Sequence, residues 1–287
     1  MEFCLLGPLA VRRGDAVVTV QAGKQRAVLA ALLLKANRVV PVEELTETLW
    51  GAAPPPSARV SVQNYVVRLR KALGEEGRSR IGTQPRGYLI RVAAGELDVT
   101  RFEVLLGSAW QAARDGSWDT AAAQARAALS LWRGEPLADV QSELLALREV
   151  PRLAELRLQA LEIRIDADLH LGRHAEVTGE LRQLAAAHPL REHLHALVML
   201  ALYRDSRQAE ALAAYRQARA VLAEELGTEP GPELRQLHQQ ILDTDPALIG
   251  IGPATPTASP PGPTGPTPRQ LPPRWPASPA GPPSSRR

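Results

Sequence analysis

Between Ser57 and Leu73, hydrophobic and polar positions sort onto two sides of one helix. Val62, Val66, Leu69 and Leu73 recur at intervals of four, three and four, which predicts a single apolar stripe suited to burial. Gln63, Asn64, Val67, Arg68, Arg70 and Lys71 fall away from that stripe. Asn64 and Arg68 are one turn apart, so both reach the same side of the helix. Amides and guanidiniums are the side chains that make bidentate bonds to base edges and phosphates. Taken alone, the segment reads more readily as an ordinary amphipathic helix with a solvated basic face.

The next segment changes that balance. Ile81 and Thr83, then Tyr88, Ile90 and Val92, alternate as two short strands, with Gln84, Pro85, Arg86 and Gly87 as the turn between them. A basic helix followed by an arginine-tipped hairpin is the layout of a winged helix, whose helix enters the major groove and whose wing lies against backbone or minor groove. Upstream, Gly23 to Asn37 carries Val28, Leu29, Leu32 and Leu33 on a helical period, and Pro41 to Trp50 carries Val42, Leu45 and Leu49. Pro54, Pro55 and Pro56 end that second helix and leave a stiff loop before the third. Glu2 to Leu6, Leu9 to Arg13 and Ala16 to Val20 are strand candidates split by Gly7-Pro8 and Gly14-Asp15. They predict a small antiparallel sheet before the first helix, the arrangement of OmpR-type effector domains.

Charge reinforces this division. Residues 1–95 hold 14 Lys and Arg against 7 Asp and Glu, residues 96–245 hold 16 against 24, and residues 246–287 hold 4 and none. The positive field therefore sits on the segment with the winged-helix pattern, where phosphate attraction needs it. The middle segment suits protein contacts instead. A length of 287 residues accommodates about two domains, with 45% hydrophobic residues to fill their cores. A single cysteine, Cys4, excludes a disulfide framework and a cysteine-rich metal site and points to a reducing, cytoplasmic setting. The start of the chain, MEFCLLGPLAV, has neither a basic leader nor an apolar run of membrane-spanning length. No membrane association is expected.

Residues 98–245 read as helix pairs. Leu169 to Arg182 resembles Tyr203 to Arg216: Arg173, Ala175, Glu176 and Arg182 recur as Arg207, Ala209, Glu210 and Arg216, an offset of 34 residues. That is the tetratricopeptide period, in which one helix hairpin buries its apolar face only by stacking on the next. Such an array offers a surface to protein partners, or else simply supports the winged helix. His188, His193 and His195 cluster, but the last two diverge on a helix and do not suit one metal ion. Gly23-Lys24 lacks the remaining residues of a phosphate-binding P-loop. Trp110, Trp118 and Trp132 are expected as core or inter-helix packing, and Trp50 as packing or a backbone contact. No Ser/His/Asp set or carboxylate pair stands out, so neither an enzyme nor a cofactor is expected.

Several motifs carry a family resemblance in order. Lys24-x-Arg26-x-x-Leu29, Leu32-Leu33-Leu34, Leu45 with Leu49-Trp50-Gly51, Gln63-x-Tyr65-Val66-x-Arg68-Leu69-Arg70 and Arg86-Gly87-Tyr88 resemble the N-terminal domain of the Streptomyces antibiotic regulatory protein family. Trp110, then Ala128-Leu129-x-Leu131-Trp132-Arg133-Gly134-x-Pro136-Leu137, His188-Pro189-Leu190-Arg191-Glu192 and Glu224-Glu225-Leu226-Gly227-x-Glu229-Pro230 resemble its bacterial transcriptional activator domain. The resemblance covers roughly residues 2–245. It implies an OmpR-type winged-helix domain over residues 1–95, a tetratricopeptide-like activator domain over 96–245 and a tail or linker over 246–287.

It further implies an activator of antibiotic biosynthesis genes, located on the nucleoid, that binds tandem direct repeats of promoter DNA near the −35 element. Two copies would bind head to tail and recruit RNA polymerase with its sigma factor. Major-groove readout is then expected from Gln63, Asn64 and Arg68, phosphate contact mainly from Lys24, Arg26, Arg59, Ser61, Arg70 and Lys71, and wing contacts from Thr83 and Arg86. The rival expectation is a helical scaffold for protein partners, only loosely associated with DNA. From Pro246 the chain is rich in Pro, Ser, Thr, Ala and Gly without an acidic residue, a composition expected to stay disordered. In larger family members such a linker leads to an ATPase domain, and Pro268-Arg269-Gln270-Leu271-Pro272 resembles its entrance. The chain is either a piece of such a protein or a short form.

Overall fold

A computed structural model describes residues 1–248 except Ala22. The tail expected from Pro246 therefore lies, beyond Leu248, outside the described residues. Three strands open the chain, β1 (Glu2–Cys4), β2 (Ala10–Arg13) and β3 (Ala16–Val18), paired antiparallel in that order. They are shorter than the alternation suggests. Phe3 and Val11 face the core at 0% and 1% exposure, whereas the β2–β3 edge lies open.

Three helices follow, α1 (Lys24–Leu34), α2 (Val42–Trp50) and α3 (Ala58–Ala72). α1 is apolar on nearly every side because it sits at the centre, with Val28, Leu29, Leu32 and Leu33 fully buried. Val62, Val66, Leu69 and Leu73 of the α3 stripe are buried against this core. A short helix α4 (Gly74–Arg80), absent from the sequence pattern, then leads into β5 (Ile81–Gln84) and β6 (Gly87–Ile90). The two strands pair antiparallel with Gln84 opposite Gly87, so Pro85 and Arg86 alone form the tip. A two-residue strand, β4 (Val40–Pro41), closes the sheet on the other edge of β6. There Gly87 has a steric reason: a Cβ at this position would lie 1.9 Å from the Val40 carbonyl oxygen.

The rest of the described chain is helical: α5 (Asp98–Arg114), α6 (Trp118–Leu129), α7 (Glu143–His170), α8 (His174–Ala187), α9 (Glu192–Arg204), α10 (Gln208–Leu226) and α11 (Pro232–Leu242). They form hairpins α5–α6, α7–α8 and α9–α10 that turn in one way. Gly116, Gly172 and Ser206 take positive φ of 71°, 77° and 59°. The next amides, of Ser117, Arg173 and Arg207, then bond back to the carbonyls of Ala112, Asp168 and Leu202 at 2.8, 2.9 and 2.9 Å. This is the same helix-terminating closure three times. α8 and α10 begin at His174 and Gln208, in the 34-residue register of the sequence repeat. The repeated side chains bridge neighbouring units, since Arg182 and Arg207 both bond Glu210 at 2.7–2.8 Å. This is an OmpR-type winged helix followed by a tetratricopeptide-like helical region, as the sequence leads one to expect.

One apolar core runs without a break from Phe3 of β1 through α1 and α3 to Ala167 of α7, and a second joins the other side of α7, at Leu158, Ile165 and Leu169, to α8–α11. Hydrogen bonds to the backbone reinforce the first core where the winged helix meets the helices after it. Asp98, 5% exposed, accepts the amides of Leu5 (2.8 Å) and Leu6 (2.9 Å). Residues 130–142 then run back over the N-terminal sheet as a strap. The Arg133 amide bonds the Leu6 carbonyl at 2.7 Å, the Leu137 amide bonds that of Leu5 at 3.1 Å, and Asp139 accepts the Leu9 amide at 2.7 Å. Ser142 completes the strap by donating to the Thr48 carbonyl of α2 at 2.7 Å. Among the described residues no helix is long and apolar enough to cross a membrane.

Trp118 stacks on His170 at 3.7 Å and Trp132 meets Phe102 edge-on at 5.5 Å, so both pack as expected. Trp110 does not. It is 47% exposed on the outer side of α5.

Candidate nucleic-acid interface

α3 is held by its buried stripe, so its opposite side is fixed toward solvent. Arg59, Val60, Gln63, Asn64, Val67, Arg68 and Lys71 are all exposed there. The side chains of Gln63, Asn64, Arg68 and Lys71 make no hydrogen bond or ion pair among the described residues, which leaves their donors and acceptors available. Arg59 lies 4.0 Å from Glu43 with both side chains well exposed, a contact weak enough to exchange for a phosphate. Ser61 is only half-buried beside them. Arg70 and Lys71 close the last turn of α3, where cations also favour the helix dipole.

The wing stands against this helix because Arg70 ties them together. Its Nε and Nη2 donate to the Ile81 carbonyl at 3.0 and 2.8 Å, and Nη2 also donates to the Thr83 hydroxyl at 2.8 Å. Arg70 was expected on phosphate; its guanidinium is instead largely committed to β5. Thr83 keeps its own hydroxyl proton to donate. Arg86 projects from the tip, and its carbonyl accepts the Val42 amide at 3.1 Å, which anchors the wing to the start of α2. Asn37, at φ 65°, clamps the far end of the hairpin through bonds of 2.9 and 3.0 Å to the Val92 backbone.

Two residues expected on phosphates point elsewhere. Arg26 turns inward: it donates to the carbonyls of Leu9 and Val20 and pairs with Asp139 of the strap at 2.5 Å, with its side chain 17% exposed. A guanidinium so enclosed holds the N-terminal sheet, α1 and the strap together. Lys24 lies 4.0 Å from the centre of the Trp50 ring and donates to the Leu49 carbonyl at 3.1 Å, so it caps the end of α2. Desolvation there lowers its pKa from the usual lysine value. Sequence reasoning missed Arg78. It comes from α4, and with Val67, Arg70 and Lys71 it lines a depression of about 500 Å³ whose charged walls are all cationic.

Behind the wing, Arg80 forms a bidentate pair with Glu96 at 2.6 and 2.7 Å and also bonds Glu76. The guanidinium and the Ala93 amide hold the Glu96 carboxyl down at about 2. No group of three or more potential metal ligands gathers among the described residues.

This assembly matches known proteins along its length. Residues 18–90 match the model of the transcriptional regulatory protein C-terminal family, and residues 97–242 match that of the bacterial transcriptional activator domain. The regulatory protein DnrI of Streptomyces peucetius is 40% identical over 267 residues, covering 90% of this chain and 98% of DnrI. The regulatory protein AfsR of Streptomyces coelicolor is 45% identical over 89% of this chain, which spans only 25% of AfsR. Among solved structures, Mycobacterium tuberculosis EmbR, captured in complex with a low affinity phosphopeptide, superposes with a TM-score of 0.82 at 35% identity, over 86% of this chain and 68% of that one. With both domain models in order and nearly all of DnrI aligned, the chain belongs to the Streptomyces antibiotic regulatory protein family of transcriptional regulators.

Proposed function

We propose that the chain is a sequence-specific, DNA-binding activator, not an enzyme, in which α3 enters the major groove and the β5–β6 wing lies on the adjoining backbone. The observation that carries this reading is the outward face of α3. Asn64 and Arg68 share one turn of it without partners among the described residues, beside a wing that Arg70 has already fixed in place. Gln63, Asn64 and Arg68 read base edges in this proposal, with Arg59, Ser61, Lys71, Thr83, Arg86 and Arg78 on the sugar-phosphate backbone.

Residues 1–95 serve as the DNA-reading domain and 96–245 as the activator domain. The site is promoter DNA carrying tandem direct repeats near the −35 element, bound by two copies head to tail. The acidic helical region then recruits RNA polymerase with its sigma factor, at genes of antibiotic biosynthesis in the cytoplasm. Support comes from the family and from the hairpin array, an architecture that presents extended surfaces to protein partners.

Selection of the full chain on a randomised duplex library tests the reading. The expected product is a pair of like half-sites in direct orientation, shifted in a gel even with excess random competitor. Enrichment of no duplex above competitor would overturn it.

A further inference from the structure

Two exposed valines stand on the outward face of α3, and the core does not account for either. Val60 and Val67 are 57% and 61% exposed, while Val62 and Val66 on the opposite side are 0% and 1% exposed. Seven residues apart, Val60 and Val67 lie on one line along the helix, with Gln63, Asn64 and Lys71 within a turn of Val67. Valine is also a weaker helix former than alanine or lysine, so helix stability does not favour it at an open position. Single apolar residues scattered over a surface need no account. Two aligned among free amides and cations are a different matter, because that face combines hydrogen-bonding positions with apolar ones.

In the major groove only thymine offers an apolar group beside its hydrogen-bonding edge, the 5-methyl. An apolar protein partner fits the same face poorly, since seating it would strip water from Arg68 and Lys71 without giving them acceptors. Val67 is also the one apolar wall of the cationic depression lined by Arg70, Lys71 and Arg78. A DNA strand held by Lys71 and Arg78 would pass directly beside it.

We propose that Val67, seconded by Val60, reads the 5-methyl group of thymine, so that part of the operator preference is a preference for that methyl. The inference rests on α3 lying in the major groove. It adds an apolar determinant to the polar readout of Gln63, Asn64 and Arg68.

The test uses the full chain and the duplex enriched from a randomised library. That duplex is resynthesised with each thymine in turn replaced by deoxyuridine, which removes the methyl and nothing else. One or two positions in each half-site are expected to lose about three- to fivefold in affinity, the effect of one methyl group returned to water. Val67→Ala should lose a similar factor on the thymine duplex and no longer distinguish uracil from thymine at one of those positions. Val67→Thr, which keeps a methyl, should retain the distinction. Val67 is exposed, so the far-ultraviolet dichroism of both variants should match the parent.

Selective binding with no sensitivity to uracil at any position overturns the inference and leaves the major-groove reading standing. Uracil sensitivity that survives in both Val67→Ala and Val60→Ala assigns the methyl to another residue and likewise overturns it. Failure to enrich any duplex removes the reading beneath it.

Discussion

Arg70, on the last turn of the outward-facing helix α3, donates to the Thr83 hydroxyl of the wing at 2.8 Å while two of its nitrogens hold the Ile81 carbonyl. The two elements proposed to meet DNA are thus set against each other in the free protein, which would spare a complex the cost of ordering them. Arg70→Ala removes charge-assisted bonds to a partly buried carbonyl, so it should cost about 1 to 3 kcal/mol of folding stability. DNA affinity should fall through a loosened wing, with the slope of affinity against salt nearly unchanged. Lys71→Ala should behave in the opposite way, with little loss of stability and a slope reduced by about one. A flattened slope in the Arg70 variant would return that residue to the phosphates.

Asn64 and Arg68 are free of partners among the described residues and face one side. Replacing either with alanine should cost about 1 to 3 kcal/mol on the selected duplex and much less on random DNA. Competition gels with both duplexes measure the ratio. Equal losses on the two would limit these side chains to backbone contact.

Much of this interface is legible in the sequence because burial writes a period into it. Val62, Val66, Leu69 and Leu73 mark the inner side of α3, and the exposed face follows by elimination. The 34-residue repeat likewise places the starts of α8 and α10 in register. What escapes is what has no period. α4 reads GEEGRSR, with two glycines and no apolar stripe, and it is held mainly by its neighbours: a Cβ on Gly77 would lie 2.6 Å from the Arg70 carbonyl oxygen and the Leu73 side chain. The direction of an arginine escapes too. Arg26 and Arg68 are the same residue type on helices of the same winged-helix region, yet Arg26 finds Asp139 and two carbonyls while Arg68 finds no partner among the described residues. Their partners lie far along the chain or in the backbone, which residue spacing does not reveal.

Glu96 gives the fold a defined acid sensitivity. Its carboxyl, held at about 2 by Arg80, lies below the ordinary value of 4.5. A depressed carboxyl stabilises the native state fully above its unfolded pKa, and that stability is lost as pH falls through the interval down to the folded value. The wild type should therefore lose on the order of 2 kcal/mol from this group between about pH 5 and pH 2. Glu96→Gln should start less stable at neutral pH and lose correspondingly less over that interval. Urea midpoints of the two proteins at several pH values provide the comparison. Parallel curves would show that the Arg80–Glu96 pair does not carry the effect.

The buried carboxylate of Asp98 is expected to decide whether residues 1–95 fold alone. It accepts the amides of Leu5 and Leu6, whose side chains are both 0% exposed, and the strap residues Arg133 and Leu137 take the carbonyls of the same segment. A fragment of residues 1–95 lacks Asp98 and the strap. It is left with apolar side chains uncovered and the amides of Phe3, Leu5, Leu6 and Leu9 without their acceptors, at about 1 to 3 kcal/mol for each group that stays unsatisfied. Against a typical total stability of about 5 to 15 kcal/mol, the fragment should be mostly unfolded or aggregated and should not bind a half-site. Asp98→Ala in the full chain, where the strap remains, should lower stability by roughly 2 to 5 kcal/mol while leaving α3 and the wing intact. At a temperature where that variant is folded, its affinity for the selected duplex should match the parent. If the isolated fragment gives a cooperative melt and binds a half-site as tightly as the full chain does, the strap is not needed to complete the fold, and the continuous core between the two regions has no thermodynamic consequence for DNA binding.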